Sequence, residues 1–204
     1  MKIICIGRNY SEHAKELGNE QPLEPVFFLK PDTALLLKKT PFFIPDFSQD
    51  IHHEVELVVK INRLGKNIQE KFAHKYYEQI GLGIDFTARD IQNELKEKGL
   101  PWEKSKAFDG SAMLSQNFIS KKEFSSLENI NFSLSKNEDL VQKGNTNQML
   151  FNIDQIIAHV SKYFTLKIGD LIYTGTPAGV SSVKIGDELK GFIEETEMFT
   201  LKIK

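Results

Sequence analysis

The chain has 204 residues, 40% of them hydrophobic and 26% charged, with a formal net charge of −2. That length supports a substantial core, and the composition excludes a disordered or fibrous chain. The near-neutral balance, with no Lys/Arg stripe interleaved with aromatics, gives no reason to expect a nucleic-acid partner.

Residues 2–6 read as a strand containing Cys5, the single cysteine, which is expected in the core of a protein from a reducing, cytoplasmic compartment. The run 1–7 is too short for a signal h-region and meets Arg8 at once, and no apolar run approaches membrane-spanning length, so no membrane partner is expected. Residues 10–17 suit a short helix. Short strands at 26–29 and 42–44 are bounded by prolines. Alternation over 54–61 places Val55, Leu57, Val59 and Ile61 on one face of a strand and Glu54, Glu56, Val58 and Lys60 on the other. A helix near 68–77 precedes a second alternating strand, 79–86, where Ile80, Leu82, Ile84 and Phe86 oppose Gly81, Gly83 and Asp85. Thr87-Ala88-Arg89-Asp90 has the form of a capping box, and Gly99 and Pro101 end the helix it opens. Asn152-Ile153-Asp154-Gln155 caps another helix, with Ile153, Ile156, Ile157, Val160 and Phe164 as its apolar stripe. Short strands and turns follow. Lys-Ile-Gly-Asp recurs at 167–170 and 184–187, as reused turn chemistry without a repeat period. No linker divides the chain, so one domain, 1–204, is expected.

Glu54 and Glu56 stand at i and i+2, with Cα atoms roughly 6.6 Å apart and side chains pointing the same way. Both reach one cation, and oxygen-only ligands favour Mg²⁺, Mn²⁺ or Ca²⁺ over zinc. A half-buried strand with its glutamates in water explains the pair equally well. Asp85 ends a strand on the face without large apolar side chains and supplies a third carboxylate. Arg89 and Gln92 then share a helix face, as a fork for a substrate carboxylate and a neutral donor for a carbonyl, or as a solvated helix face. His13 and Glu16 are i,i+3, the arrangement of a carboxylate-oriented general base and also of an ordinary surface helix. The stretch 174–179, Thr-Gly-Thr-Pro-Ala-Gly, either brings backbone N–H groups to an anion or is a plain turn. Lys106 stands in an interleaved Lys/Glu run, as a second positive charge for an anion or a surface lysine. His52 and His53 lack a third nitrogen or sulfur ligand for zinc, and His52 at most supports a carboxylate ligand.

Several segments in order carry a resemblance: Gly7-Arg8-Asn9-Tyr10 with His13 and Glu16, Phe28-Leu29-Lys30-Pro31, His52-His53-Glu54-Val55-Glu56-Leu57, Asp85 through Gln92, Gly99-Leu100-Pro101-Trp102 with Lys106, Gly144-Asn145-Thr146, and Gly169 through Val180. On these the chain resembles the fumarylacetoacetate hydrolase superfamily, most closely its short acylpyruvase/oxaloacetate branch. The resemblance implies an α+β fold, a mixed β-sheet roll with a few peripheral helices, and a homodimer. It implies Mg²⁺ or Mn²⁺, with Ca²⁺ as a substitute, on Glu54, Glu56 and Asp85. Arg89, Gln92 and Thr176 would bind substrate, and His13, Glu16 and Lys106 would be catalytic. Two departures stand out. Phe108-Asp109 is followed by Gly110-Ser111-Ala112 in place of a proline-rich stretch, and the usual Asn-Gly hairpin is replaced by Lys136-Asn137-Glu138-Asp139.

The implied chemistry is C–C hydrolysis of small 2,4-diketo acids through an enolate held at the metal, releasing pyruvate. Oxaloacetate decarboxylation or tautomerisation, or isomerisation and decarboxylation of a ring-cleavage dienedioate, suits the same residues. A metal-binding protein without turnover is a third possibility. Residues 10–22, polar and ending in Gly18-Asn19-Glu20-Gln21-Pro22, are expected to close over the site as a mobile lid carrying His13.

Overall fold

The computed structural model describes residues 1–16 and 21–204. In chain order its strands are β1 (Ile3–Gly7), β2 (Val26–Lys30), β3 (Ile51–His53), β4 (Val55–Ile61), β5 (Tyr77–Asp85), β6 (Thr87–Ala88), β7 (Ala112–Leu114), β8 (Ile119–Ser120), β9 (Asn131–Lys136), β10 (Asp139–Asn145), β11 (Leu171–Tyr173), β12 (Ser181–Ser182), β13 (Glu188–Ile193) and β14 (Thr196–Lys202). The helices are α1 (Ser11–Glu16), α2 (Glu70–Ala73), α3 (Arg89–Glu97), α4 (Glu103–Lys106) and α5 (Ile153–Tyr163).

Three sheets form. The largest runs β2-β1-β11-β4-β5-β7, with β8 also on β5. It is mixed, because β1 and β11 run parallel while β1–β2, β11–β4 and β4–β5 are antiparallel. A four-stranded sheet, β10-β9-β13-β14, and a three-stranded one, β12-β3-β6, complete the roll. The α+β architecture is the expected one. Among the described residues no helix is long and apolar enough to cross a membrane.

The alternation in β4 has the predicted facing but a different environment. Val55, Leu57, Val59 and Ile61 enter the main core with Ile80, Leu82 and Ile84. On the other face Val58 packs with Ile3, Cys5, Leu171 and Tyr173, so the strand is buried on both sides and only Lys60 is exposed. Glutamates on this face are not in water. The expected strand 54–61 is also interrupted at Glu54, where the chain passes from the small sheet (β3) into the large one (β4).

Four local expectations change. The helix near 68–77 contracts to the four residues of α2, because Tyr77 already pairs with Ile61 in the β4–β5 ladder. Residues 42–44 form a single bridge, Phe42 to Ile203, between two prolines, and Phe42 is held by stacking on Phe86 at 3.8 Å. The helix at 10–17 is α1, ending at Glu16; residues 17–20, and with them that part of the expected lid, lie outside the described residues. The capping box at Thr87 does not form. Thr87–Ala88 pairs with β3 as β6, and Asp90 binds the approach to α3 instead, accepting from Ser48 Oγ (2.6 Å), Gln49 N (2.9 Å) and Ile91 N (2.9 Å). The capping box of α5 does form, with Asn152 Oδ1 accepting from Gln155 N at 2.9 Å and Gln155 Oε1 from Asn152 N at 3.0 Å.

The two Lys-Ile-Gly-Asp stretches are the same turn used twice. In each, the Asp carboxylate accepts the Lys backbone N–H at 2.8 Å, the Asp N–H donates back to the Lys carbonyl at 3.0 Å, and the glycine sits at positive φ (Gly169 89°, Gly186 97°). Asp170 also accepts from Lys2 N at 2.8 Å and pairs with the Lys2 ammonium, fastening the turn to the start of β1. Burial alone would raise the Asp170 pKa, but the hydrogen bonds from Lys2 and Lys167 outweigh it and hold the carboxyl below its ordinary value. The β9–β10 hairpin turns on Asn137 (φ 52°) and Glu138 (φ 74°), both left-handed, as a type I′ turn requires. Asn137 is fixed there by Asp187 and Glu188, whereas no contact among the described residues offsets the backbone strain at Glu138.

Replacing Glu138 with Gly should therefore stabilise the protein by about 1 kcal/mol, read as a higher denaturant midpoint at unchanged slope. An unchanged or lower midpoint would contradict the strain assigned to this turn. Asp170→Asn should cost about 1–3 kcal/mol at neutral pH. A depressed carboxyl pKa stabilises the fold above the ordinary Asp value and loses that contribution as pH falls through the folded value. The gap between wild type and variant should accordingly narrow below about pH 4 in pH-dependent melts. A gap independent of pH would show that the charge on Asp170 does not matter.

Candidate functional site

The residues that end β1, cross from β3 to β4, end β5 and begin α3 and α4 meet at one cleft, with a cavity volume of about 40 Å³. Its floor is acidic. Glu54, Glu56 and Asp85 are 5%, 1% and 1% exposed, and each offers an oxygen within 4.8 Å of the others. The pleat brings them together: Glu56 faces Gly83 across the β4–β5 ladder, and Asp85 donates its backbone N–H to the Glu54 carbonyl at 2.9 Å.

Three cations answer the three carboxylates. Lys106 Nζ donates to Glu54 Oε2 (2.8 Å), Asp85 Oδ2 (2.9 Å) and Thr87 Oγ1 (2.5 Å), using every proton of its ammonium. Arg89 Nη2 donates to Glu54 Oε1, and Nη1 to Gln92 Oε1 at 2.5 Å. Arg89 Nε is buried and has no hydrogen-bond partner among the described residues. Lys30, from β2, is itself buried and lies 2.8 Å from Asp85 Oδ1; this contact is an ion pair without hydrogen-bond geometry. Lys30 also donates to Ser111 Oγ (2.9 Å) and to the Lys106 carbonyl.

These contacts set the charge states. Burial alone would raise the Glu54 carboxyl, but Lys106 and Arg89 hold it well below the usual carboxylate range. Glu56 goes the other way. Burial, then the charges of Asp85 and Glu54, push it well above that range, and its one hydrogen bond among the described residues is the Gly175 N–H at 2.7 Å. Gly175 sits at φ 102°, and a Cβ there would lie 2.7 Å from the Asn9 Cβ, so only glycine brings this N–H to Glu56. Burial works against the Lys106 ammonium, yet Asp85 and Glu54 raise its pKa, so it holds its proton and serves as a donor, not a base. A cluster of buried, mutually repelling carboxylate oxygens with no nitrogen or sulfur donor fits a hard divalent cation. Glu54, Glu56 and Asp85 would hold it.

The other expected residues are placed as follows. His13, on α1, is buried and lines the cleft, with Nδ1 3.1 Å from Glu16 Oε2. Glu16 is pinned in turn by the Gly179 N–H at 3.1 Å, so the 174–179 stretch holds the dyad through one backbone donor and Glu56 through another. Arg89 and Gln92 share the helix face assigned to them. Thr176 lines the cleft, but its hydroxyl donates to the Val55 carbonyl (2.9 Å) and accepts from Gln142 Nε2 (2.9 Å), which leaves it no proton for a ligand. His52 turns its Nε2 to Asp50 at 3.1 Å and makes no contact with the carboxylates, and Cys5 is a core residue whose thiol pKa is raised by burial.

Sequence reasoning missed Lys30, Thr87 and Gln142. Lys30 carries a signal, since a lysine closing the apolar strand Val26–Lys30 is out of place unless a buried acid pairs with it. Thr87 was assigned to a cap, and only the fold turns its hydroxyl to Lys106. Gln142 carries no signal. Its Oε1 accepts from His53 Nδ1 (2.9 Å) and Val55 N (3.0 Å), the two residues flanking Glu54.

The family model for the fumarylacetoacetate (FAA) hydrolase C-terminal region matches residues 2–203. A mitochondrial oxaloacetate decarboxylase of Dictyostelium discoideum is 48% identical over 190 residues, covering 93% of this chain and 87% of that protein. The oxaloacetate tautomerase YcgM of Escherichia coli is 45% identical over 189 residues, 92% of this chain and 86% of its own. The structure of a fumarylpyruvate hydrolase from Pseudomonas aeruginosa, in complex with Mn²⁺ and pyruvate, aligns with a TM-score of 0.91 at 30% identity, over 100% of this chain and 89% of that one. With sequence and fold matched along almost its whole length, this chain belongs to the fumarylacetoacetate hydrolase family.

Proposed function

We propose that this protein is a divalent-metal-dependent enzyme that enolises a small 2-oxo acid, with oxaloacetate as substrate and keto–enol tautomerisation as its reaction, and with decarboxylation of the keto form, which releases CO₂ and leaves the pyruvate enolate, as a second outcome at the same 2-oxo oxygen. The observation that carries this is the charge count at the cleft floor. With a divalent cation holding all three carboxyls ionised, their charge is balanced by Lys30, Lys106 and Arg89, so the cation leaves the floor with an excess of positive charge suited to an acidic ligand. The oxaloacetate enzymes among the relatives support the same substrate class.

Mg²⁺ or Mn²⁺ held on Glu54, Glu56 and Asp85 would supply Lewis-acid stabilisation of the negative charge that develops on the 2-oxo group. The chain's own groups do the rest. Arg89 and the Gln92 amide orient the substrate carboxylate, and Lys106, kept charged with its protons on Glu54, Asp85 and Thr87, acts as a fixed positive charge beside the oxygen that gains charge. His13, with Nδ1 tied to Glu16, keeps Nε2 to carry the proton that leaves C3 to the 2-oxo oxygen, and to bring it back to C3 in the reverse direction. Phe28 and Trp102 wall the cleft against water. Residues 1–204 act as one catalytic domain in this proposal, as a cytoplasmic homodimer.

C–C hydrolysis of acylpyruvates is the second reading, favoured by the His13–Glu16 dyad, because the same Nε2 can take a proton from water attacking the distal carbonyl. Pyruvate and a carboxylic acid would then leave.

Purified protein with Mg²⁺ should ketonise enol-oxaloacetate faster than it forms pyruvate from oxaloacetate or from acetylpyruvate. Acetylpyruvate turned over fastest would make the enzyme a hydrolase. Glu56→Gln should weaken the metal by more than the 10–100-fold typical of groups that only orient a ligand, with the fold intact by circular dichroism. Wild-type metal affinity in that variant would remove Glu56 from the ligand set. His13→Ala should lower turnover by about 10²–10⁴-fold while oxalate affinity changes only a few-fold. Equal losses in both would make His13 a binding residue.

A further inference from the structure

The cleft carries two cations that the carboxylate cluster leaves unmatched. Arg8 follows β1, and Lys96 lies on α3 one turn beyond Gln92, on the face that holds Arg89 and Gln92. Both line the same cleft as the three carboxylates. Both are half-buried, whereas Glu54, Glu56, Asp85, Arg89 and Lys106 are buried, so the pair stands at the rim above the floor. Among the described residues neither has a carboxylate partner, although every cation of the floor has one.

Two further observations mark the rim as a site. Arg8 is held at φ 58°, a left-handed conformation that costs a non-glycine residue about 1 kcal/mol and that clusters at ligand sites. Lys96 Nζ stands 5.9 Å from the Trp102 ring centroid, and Trp102 packs edge-on against Phe28 at 6.0 Å. The Lys96 ammonium is thus carried over an aromatic wall between rim and floor. Burial, then the charges of Arg89, Arg8 and Lys106, lower its pKa, as expected where like charges converge on one space without an anion between them.

We propose that Arg8 and Lys96 form a second anion subsite, which binds the carboxylate at the far end of a dianionic 2-oxo acid and makes the cleft select diacids over monoacids. The inference rests on the oxaloacetate reading for the near end of the substrate, where Arg89 and Lys106 act. At the rim, Arg8 offers a planar fork and Lys96 a mobile point charge. Phe28 and Trp102 cover the carbon between the two carboxylates.

The test compares 2-oxoglutarate with 2-oxopentanoate, a pair of equal carbon count in which only one has the far carboxylate. Binding to the Mg²⁺-loaded protein is measured by calorimetry, and turnover is followed separately with oxaloacetate and its 4-methyl ester. Wild type should bind the diacid at least about tenfold more tightly. Lys96→Met and Arg8→Gly, the latter compatible with the positive φ, should each weaken the diacid about five- to tenfold and the monoacid less than about twofold. The double variant should bind both alike. Equal weakening of both ligands, or no change in either, would overturn the subsite. A diacid preference that disappears in the variants, without turnover of oxaloacetate by wild type, would leave the subsite standing and remove the reaction. Equal turnover of oxaloacetate and its ester, unaffected by the variants, would do the reverse.

Discussion

Three carboxylates buried within reach of one another are the constraint to which the rest of this structure answers. Unbalanced, such a cluster would take up protons or open the fold, since an isolated charge in a protein interior costs several kcal/mol. The protein draws its compensating charges from three separate places: Lys30 at the end of β2, Arg89 at the start of α3 and Lys106 at the end of α4. Each of these elements is held where its cation meets the acid floor. Lys30 fastens the Lys106 carbonyl as well as pairing with Asp85, so two of the three cations are braced on each other.

The sheets converge on the same point. Glu54 occupies the step between the small sheet and the large one, and Gln142 reaches it from the four-stranded sheet. All of the hydrogen-bonding capacity of the Gln142 amide is spent, on His53 and Val55 at one end and on Thr176 Oγ1 and the Pro177 carbonyl at the other. His53 is completely buried, and its pKa is pushed down to about 4, chiefly by burial, so it is neutral across the physiological range and serves as a strut. A carboxylate whose flanking residues are fixed from three sheets is preorganised. The 174–179 stretch spends one backbone N–H on Glu56 and another on Glu16, so the acid floor and the His13 dyad share a support.

This construction explains how one family accommodates tautomerases, decarboxylases and hydrolases. All three reactions place negative charge on the oxygen of a 2-oxo acid, and in the proposed reading the cluster with its donors addresses that charge alone. What differs is the bond broken beyond it and the fate of one proton, which a single imidazole can deliver to carbon or take from water. In the proposed reading the distinction is set at the rim and at His13, not at the floor.

Much of this was legible in the sequence for a physical reason: it is encoded in short-range patterns. The period-two alternation gives β4 and β5 and puts Glu56 and Asp85 on their unobstructed faces, the Asn152 box gives α5, and Lys-Ile-Gly-Asp gives the same turn twice. The i,i+3 spacing of Arg89 and Gln92, and of His13 and Glu16, gives two contacts the fold contains. Only the tertiary structure decided which faces are dry and which cations answer which acids. The second apolar layer over Val58, formed with Cys5 and Tyr173, takes the glutamates out of water. Asp85, Lys30 and Lys106 meet across long stretches of chain, and Gln142 reaches the Glu54 step from 89 residues beyond His53. Thr87, at home as a cap by local rules, is taken by a strand pairing and an ammonium. Local sequence fixes the direction of each side chain along its own element. The neighbour it meets, and hence its charge state, depends on contacts between segments that no local period encodes.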